Sequence, residues 1–332
     1  MKKAHIIATS SYVPETILTN QQLEQMVDTS DEWIQTRTGI QERRIAGAEE
    51  FSSTMGAKAA DIALKKAGKT AQDIDCIIVG TLTPDYLFPS TACLIQDLIG
   101  AGNIAAFDIQ AACSGYVYAL SLAKAFIESA QYSCVLVVAS EKLSSIVNYQ
   151  DRSTCVLFGD GSAACIVSAE KTHLSIDSVC LGSDGSQSDL LILPGGGCKN
   201  PTSAKTVEEN LHYIQMQGKD VFKHAVLRME ASCQECIQKA GIQESDISWL
   251  IPHQANMRII NAMAKRFTHL TQDHIYKTVH KYGNTSCSSL GIALDELLQE
   301  KAIHPEDKLL LTAFGAGFTW GSSVLTYKGD VA

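Results

Sequence analysis

Ala67-Gly68, followed by Asp73-Ile74-Asp75-Cys76-Ile77-Ile78, returns later in the chain as Ala240-Gly241, followed by Asp246-Ile247-Ser248-Trp249-Leu250-Ile251. The two copies stand 173 positions apart (240 − 67). In each, a helical spacing of apolar residues, Met55 to Ala67 and Leu227 to Ala240, stops at a glycine. Glycine takes up the left-handed conformation that closes a helix at the lowest steric cost. A short acidic turn then leads into an apolar run of strand length. The match extends outward, because Val135-Leu136-Val137-Val138-Ala139 aligns with Leu309-Leu310-Leu311-Thr312-Ala313, and Ala119-Leu120 with Ala293-Leu294, at an offset of 174 (309 − 135). Agreement at nearly one spacing over such separations indicates a duplicated unit.

Each copy alternates helices with near-continuous apolar strands, the pattern of a sheet covered on both faces. The expected fold class is therefore α/β, with two halves related by a pseudo-twofold axis. They span residues 1–171 and 172–332, and the boundary falls near 169–174. Each half is expected to close in a hairpin: one from Val156-Leu157-Phe158-Gly159-Asp160-Gly161-Ser162 through Val167, the other from Phe314-Gly315-Ala316-Gly317-Phe318 through Tyr327. The polar stretch from Gly195 to Asn210 reads as a loop of the second half. Its Gly195-Gly196-Gly197 opens no helix, which weighs against a phosphate cradle there.

Composition removes several classes of function. A chain of 332 residues exceeds one ordinary core. No apolar stretch approaches the roughly 20 residues of a membrane span, so no membrane partner is expected. After Met1-Lys2-Lys3 the apolar run is short, without the core of a signal peptide, and it reads as the first strand of a cytoplasmic protein. The net charge of −9 argues against nucleic acid as a partner. Eleven cysteines without paired spacing suit a reducing compartment. The one close pair, Cys233-Gln-Glu-Cys236, has no second pair or nearby histidine at ligand spacing, so neither a metal nor a cofactor is expected.

Within this frame Asp108-Ile109-Gln110-Ala111-Ala112-Cys113-Ser114-Gly115 marks the passage from a strand to a helix. A thiol at a helix start meets the positive end of the macrodipole and unpaired N–H groups, which favour thiolate. The alternative reading of Cys113 is a buried thiol packing as a small hydrophobe. The repeat maps Cys113 onto Cys287, assigned to packing, and sets His253 at the end of the strand equivalent to the one ending in Gly80. Asn284, in Gly283-Asn284-Thr285-Ser286, lies beside that point, although a tight turn alone would also account for an asparagine there. Strand ends and helix starts are where α/β folds gather ligands. A cysteine with a histidine supplies the nucleophile and the proton partner of acyl transfer through a thioester.

Ala111-Ala112-Cys113-Ser114-Gly115, His253-Gln254-Ala255-Asn256, Gly283-Asn284-Thr285-Ser286 and Gly315-Ala316-Gly317-Phe318-Thr319-Trp320-Gly321 resemble, in order, the motifs of the β-ketoacyl-acyl-carrier-protein synthase III family. Asp31-Glu32-Trp33-Ile34, Arg37-Thr38-Gly39-Ile40 with Arg43, and Asp151-Arg152 resemble it too. The resemblance implies the thiolase fold, two similar halves around a five-layered core. It implies that Cys113 takes the acyl group of an acyl-CoA primer, usually acetyl-CoA, and that malonyl-acyl carrier protein then loses CO₂ and condenses with it, initiating fatty acid synthesis. His253 and Asn284 would serve the decarboxylation as neutral donors, and the backbone N–H groups of Cys113 and Ala316 would form the oxyanion hole. The family often has glycine where Ala316 stands.

The same resemblance assigns Trp33, Arg37, Arg152 and Asn256 to CoA, and Lys223, Arg258, Lys265 and Arg266 to the acidic carrier protein. It places Phe88 across a homodimer interface, closing the partner's acyl pocket. Asn284 sets the chain apart from the elongating synthases, which carry a second histidine there, and a thiolase would use a second catalytic cysteine. Three readings stay open beside the preferred one: a secondary-metabolite ketosynthase with a longer or aromatic primer, an acyl-CoA thioester hydrolase, and a non-catalytic binding module.

Overall fold

A computed structural model describes residues 2–329; Met1 and residues 330–332, which the two expected halves include, lie outside the described residues. The main sheet has nine strands, in chain order β1 (His5–Tyr12), β2 (Cys76–Gly80), β3 (Ala105–Ile109), β4 (Cys134–Glu141), β5 (Gly161–Ser168), β6 (His173–Ser183), β7 (Ile247–Pro252), β8 (Lys308–Gly315) and β9 (Thr319–Gly329). Across the sheet the order is β7-β8-β9-β6-β1-β5-β4-β2-β3. The duplication shows in that order. Outward from a short antiparallel β1/β6 contact, β1-β5-β4-β2 in one half mirrors β6-β9-β8-β7 in the other. The innermost pairs of each half are antiparallel, and the outermost, β4/β2 and β8/β7, are parallel. The counterpart of β3 has shrunk to one parallel bridge between Leu250 and Ile275.

Six helices matter for the site: α1 (Asp31–Thr38), α2 (Ser52–Ala67), α3 (Gly115–Glu128), α4 (Gly218–Ala240), α5 (Met257–Ala264) and α6 (Ser288–Glu300). The repeated glycines close α2 and α4 as the spacing requires, Gly68 at φ 61° and Gly241 at φ 71°. In the acidic turns that follow, Asp73 accepts the N–H of Thr70 at 2.7 Å and Asp246 that of Gln243 at 2.8 Å. Two distant segments thus repeat one cap and one turn, bond for bond.

Helix α2 covers β1, β5 and β4, and α4 covers β6, β9 and β8. Helices α3 and α6 touch strands of both halves and each other. The result is five layers: helix, half-sheet, central helix pair, half-sheet, helix. Alternate residues of each strand therefore face different cores. Cys76 and Ile78 pack toward Val117 and Leu120 in the centre, whereas Ile77 and Val79 pack toward Ala60 and Leu64 outside. Leu309 and Leu311 likewise join Leu290 and Leu294, and Leu310 joins Met229 and Cys233. Full burial of each such aliphatic side chain is worth about 1.5–3 kcal/mol, so strands covered on both faces lose the polar alternation of a half-exposed sheet.

Two local expectations need correction. The β8/β9 hairpin is tight, with Gly315 opposite Thr319, but β5 is no arm of a tight hairpin from Val156. It pairs with β4 across residues 142–160, which include a short helix, Arg152–Cys155. The segment around Val156 is instead held elsewhere: Leu157 O accepts the N–H of Asn284 at 2.8 Å and Gly159 N–H donates to Asn284 O at 3.0 Å. The stretch from Gly195 to Asn210 also contains a helix, Ala204–Glu208, because Ser203 Oγ caps Thr206 N at 3.2 Å.

Candidate active site

Between β3 and α3 the backbone makes a sharp corner. Ala112 has φ 43°, a left-handed conformation that costs a non-glycine residue about 1–3 kcal/mol, and the short turn Ala112–Ser114 runs directly into α3. The β8/β9 turn holds this corner from the other half. Thr319 Oγ1 donates to Ala111 O at 2.8 Å, and Ser114 Oγ to Thr319 O at 3.1 Å. A Cβ on Gly315 would stand 2.6 Å from Cys113 N, so only glycine allows so close an approach. Cys113 emerges at the floor of a cavity of about 1200 Å³, only 7% exposed.

His253 and Asn284 line the same cavity, both supplied by the second half. His253 N–H donates to Thr312 O at 2.8 Å, continuing the β7/β8 ladder by one residue. The next residue anchors the loop: the Gln254 amide donates to Pro252 O at 2.6 Å and accepts from Thr278 N at 2.8 Å and Val279 N at 3.1 Å. His253 Nδ1 lies 2.7 Å from Ser289 Oγ. Burial lowers the His253 pKa to about 3, so the ring is neutral at physiological pH. Asn284 follows Gly283, whose φ is 63° and whose missing Cβ would meet Leu157 O at 2.7 Å. Its Oδ1 accepts from Ser286 N at 2.9 Å, which leaves the amide NH₂ as the donating end.

Burial pushes the Cys113 thiol up to about 12, and the charge of nearby Glu141 acts in the same direction. Burial thus opposes the thiolate that the helix start is expected to favour. Cys113 and His253 face the cavity as a neutral thiol and a neutral imidazole. Glu141 itself is fully buried and accepts from Thr83 Oγ1 at 2.6 Å, Leu82 N at 3.1 Å and Cys287 Sγ at 3.2 Å. Cys287 packs fully buried in the central core, and its thiol also lies 3.1 Å from Gly80 O. Sequence reasoning missed Glu141, although a carboxylate closing the run Cys134 to Ser140, apolar but for that serine, was a readable signal.

Arg43 has a comparable supporting place. Its guanidinium is fully buried and donates to Leu18 O at 3.1 Å, Asn20 Oδ1 at 2.9 Å and Val156 O at 2.8 Å. Burial lowers its pKa to about 10. Through Val156 it fixes the loop whose Leu157 and Gly159 hold the backbone of Asn284.

Around the cavity the remaining residues separate into groups. Trp33 and Arg37 of α1 line it, and the Arg152 guanidinium lies 5.0 Å over the Trp33 ring while donating to Asp28 O at 2.9 Å. Asn256 also lines it, with its side-chain Oδ1 capping α5 by accepting from Arg258 N at 2.8 Å. Arg258, Lys265 and Arg266 gather with Phe222 in a shallow groove of about 580 Å³, and Arg266 pairs with Glu230 at 3.2 Å. Lys223 is exposed on α4 but does not line that groove. Tyr86 and Leu87 line the cavity, whereas Phe88 beside them is 85% exposed and does not. Gly195, Gly196 and Gly197 belong to its lining. Ala316 lines it as well and avoids positive φ, the strained position falling on Gly317 at φ 129°. All eleven cysteines are unpaired, and among the described residues no three metal-ligating side chains gather to hold an ion.

Comparison with known proteins agrees along the chain. Residues 107–185 match the family model described as 3-oxoacyl-[acyl-carrier-protein (ACP)] synthase III, and residues 237–327 match its C-terminal counterpart. The chain is 57% identical, over 97% of its own length and 99% of the relative's, to the β-ketoacyl-[acyl-carrier-protein] synthase III of Chlamydia trachomatis serovar D. It is 50% identical to the enzyme of that name from Caldanaerobacter subterraneus, over 98% of each chain. The crystal structure of 3-oxoacyl-[acyl-carrier-protein] synthase III from Aquifex aeolicus superposes with a TM-score of 0.90 at 45% identity, covering 98% of this chain and all of the other.

Proposed function

The chain belongs to the 3-oxoacyl-[acyl-carrier-protein] synthase III family, and from that premise we propose how its own residues carry out the family's condensation. The reaction joins an acyl-CoA primer, here acetyl-CoA, to malonyl-acyl carrier protein and starts fatty acid synthesis. The Cys113 sulfur attacks the primer thioester. The carbonyl oxygen gains charge that the backbone N–H groups of Cys113 and Ala316 receive, and CoA departs with the thiol proton. Malonyl-acyl carrier protein then enters. Its carboxylate leaves as CO₂, and the electron pair moves into an enolate whose oxygen meets His253 and the Asn284 amide. The enolate carbon attacks the acyl group, the Cys113 thiolate leaves and takes a proton from solvent, and the 3-ketoacyl product departs on the carrier. The bonds balance without an oxidant or a resident cofactor, so none is proposed.

One observation carries this reading: a nucleophile from one half and two neutral donors from the other line a single cavity of about 1200 Å³. Neutrality matters because a charged imidazole would hold the malonyl carboxylate in an ion pair, and burial keeps the His253 pKa near about 3. Trp33, Arg37, Arg152 and Asn256 are proposed to hold CoA at the cavity mouth. Arg258, Lys265 and Arg266, with Lys223 near them, are proposed to receive the acidic carrier; a local basic groove on a chain of net charge −9 steers such a partner. Three large apolar residues in succession, Tyr86, Leu87 and Phe88, are at least 62% exposed, and we propose that they are covered in a homodimer in which Phe88 enters the partner's pocket. A cytoplasmic location is proposed from the unpaired cysteines.

The test is product analysis with purified enzyme, malonyl-acyl carrier protein and acetyl-, branched or medium-chain acyl-CoA. Formation of 3-ketobutyryl-acyl carrier protein is expected. Release of free acid alone would identify a hydrolase, and turnover only with longer primers would move the chain to a different pathway.

A further inference from the structure

Ser289 is the second residue of α6, is 1% exposed and touches His253 rather than the cavity. Its hydroxyl has two partners. Gln254 N–H donates to Oγ at 3.3 Å, and His253 Nδ1 lies 2.7 Å away. The carbonyl of Thr285 accepts from Ser288 Oγ at 2.8 Å, and among the described residues Ser289 Oγ makes no further hydrogen bond. The single hydroxyl proton therefore has one acceptor, the Nδ1 lone pair. An imidazole that accepts at Nδ1 carries its own proton on Nε2.

We infer that Ser289 is a positioning residue that selects the Nε2–H tautomer of His253, so that the ring presents a donor to the reacting thioester oxygen. The inference rests on the reading of His253 as a donor in decarboxylation. It adds a cause for the donor: the hydroxyl of α6 is oriented by Gln254 N–H, and Gln254 is itself immobilised by bonds to Pro252, Thr278 and Val279. The opposite tautomer would place an acceptor lone pair on Nε2 against the developing enolate oxygen and would leave the Ser289 proton without a partner. Ser289 thereby acts on the second half-reaction only. Acylation of Cys113 uses backbone donors from the α3 start and the β8/β9 turn and does not require either tautomer.

The first measurement needs no variant. Long-range ¹⁵N–¹H correlation spectra of ¹⁵N-histidine-labelled enzyme report which ring nitrogen of His253 is protonated, the signal being assigned by its loss in His253→Gln. Protonated Nε2 is expected, and protonated Nδ1 overturns the inference. The second compares half-reactions. Ser289→Ala is expected to slow CO₂ release from malonyl-acyl carrier protein by about tenfold or more while acetyl transfer from acetyl-CoA to Cys113 stays within about twofold. Ser289→Thr, which keeps the hydroxyl, is expected to restore both the tautomer and CO₂ release. A Ser289→Ala enzyme with the Nε2–H tautomer and CO₂ release intact, or with both half-reactions slowed equally, overturns the inference. Failure of the underlying reading looks different, because His253→Gln would then release CO₂ at the original rate whatever the tautomer of the parent enzyme.

Discussion

Gly315→Ala tests whether the turn between the two halves sets the geometry of the nucleophile. An added methyl would stand 2.6 Å from Cys113 N, 3.1 Å from Ala112 Cβ and 3.2 Å from Ala111 O. Ordinary contact begins near 3.4 Å, so the corner must give by about 0.8 Å along the first direction. None of the three obstacles is the flexible end of a side chain. Ala111 O is also tied to Thr319 Oγ1 and Ser114 Oγ to Thr319 O, so the displacement is shared by the Cys113 backbone and the Ala316 turn. Overpacking of this kind costs about 1–3 kcal/mol of stability. A shift approaching 1 Å in positioned groups costs about 100-fold in rate. The assay is single-turnover release of CoA from acetyl-CoA, with thermal unfolding as a control. Acyl transfer slowed by about 100-fold in a folded enzyme is expected. A folded Gly315→Ala enzyme that acylates Cys113 at the original rate would refute the proposed oxyanion hole between Cys113 N–H and Ala316 N–H.

Other perturbations reach different parts of the structure. Arg43→Met strands the buried acceptors Leu18 O, Asn20 Oδ1 and Val156 O, and is expected to destabilise the chain by about 2–5 kcal/mol in urea unfolding; an unchanged midpoint would show that water replaces the guanidinium. Because burial holds the Cys113 thiol up at about 12, its alkylation by iodoacetamide is expected to accelerate steadily with pH beyond about 9, and a plateau near neutrality would contradict that environment. His253 falls from 6.5 to about 3 on folding, so below the unfolded value the unfolded chain takes up a proton that the folded chain refuses. Its contribution to stability is therefore present above about 6.5 and is lost progressively as pH falls toward about 3. His253→Gln is expected to flatten the decline in unfolding free energy over that interval, and an unaltered slope would count against a buried neutral ring. Gly241→Ala meets no neighbouring atom within 4 Å, so its expected cost is the left-handed backbone alone, about 1–2 kcal/mol in the same urea assay.

The duplication was legible because its marks are local. Gly68 and Gly241 must be glycine-like to close their helices, and β2, β4, β7 and β8 are apolar on both faces because the five layers bury both. Cys113, His253 and Asn284 could be brought together from the repeat, since equivalent strand ends meet at the centre of such a fold. What escaped the sequence depends on tertiary surroundings. The helix start at Cys113 is visible in the residue order, but the burial that opposes its ionisation is not. Ser289 resembles any serine in a helical first turn until its distance to His253 Nδ1 is known. The segment from Val156 looked like a hairpin arm because Gly159 and Gly161 punctuate it, and only the bonds to Asn284 reveal its service to the site. The lost counterpart of β3 left no signal either, because the flanking Ile275 remains apolar.

Condensation through Cys113 is tested most directly by the mass of the chain before and after mixing with acetyl-CoA, and again after malonyl-acyl carrier protein is added. One acetyl group on the peptide containing Cys113 is expected in the first step. In the second it should disappear as 3-ketobutyryl-acyl carrier protein forms. Acetylation elsewhere, or an acetyl group that leaves as free acetate with no carbon–carbon bond made, would contradict the proposed mechanism.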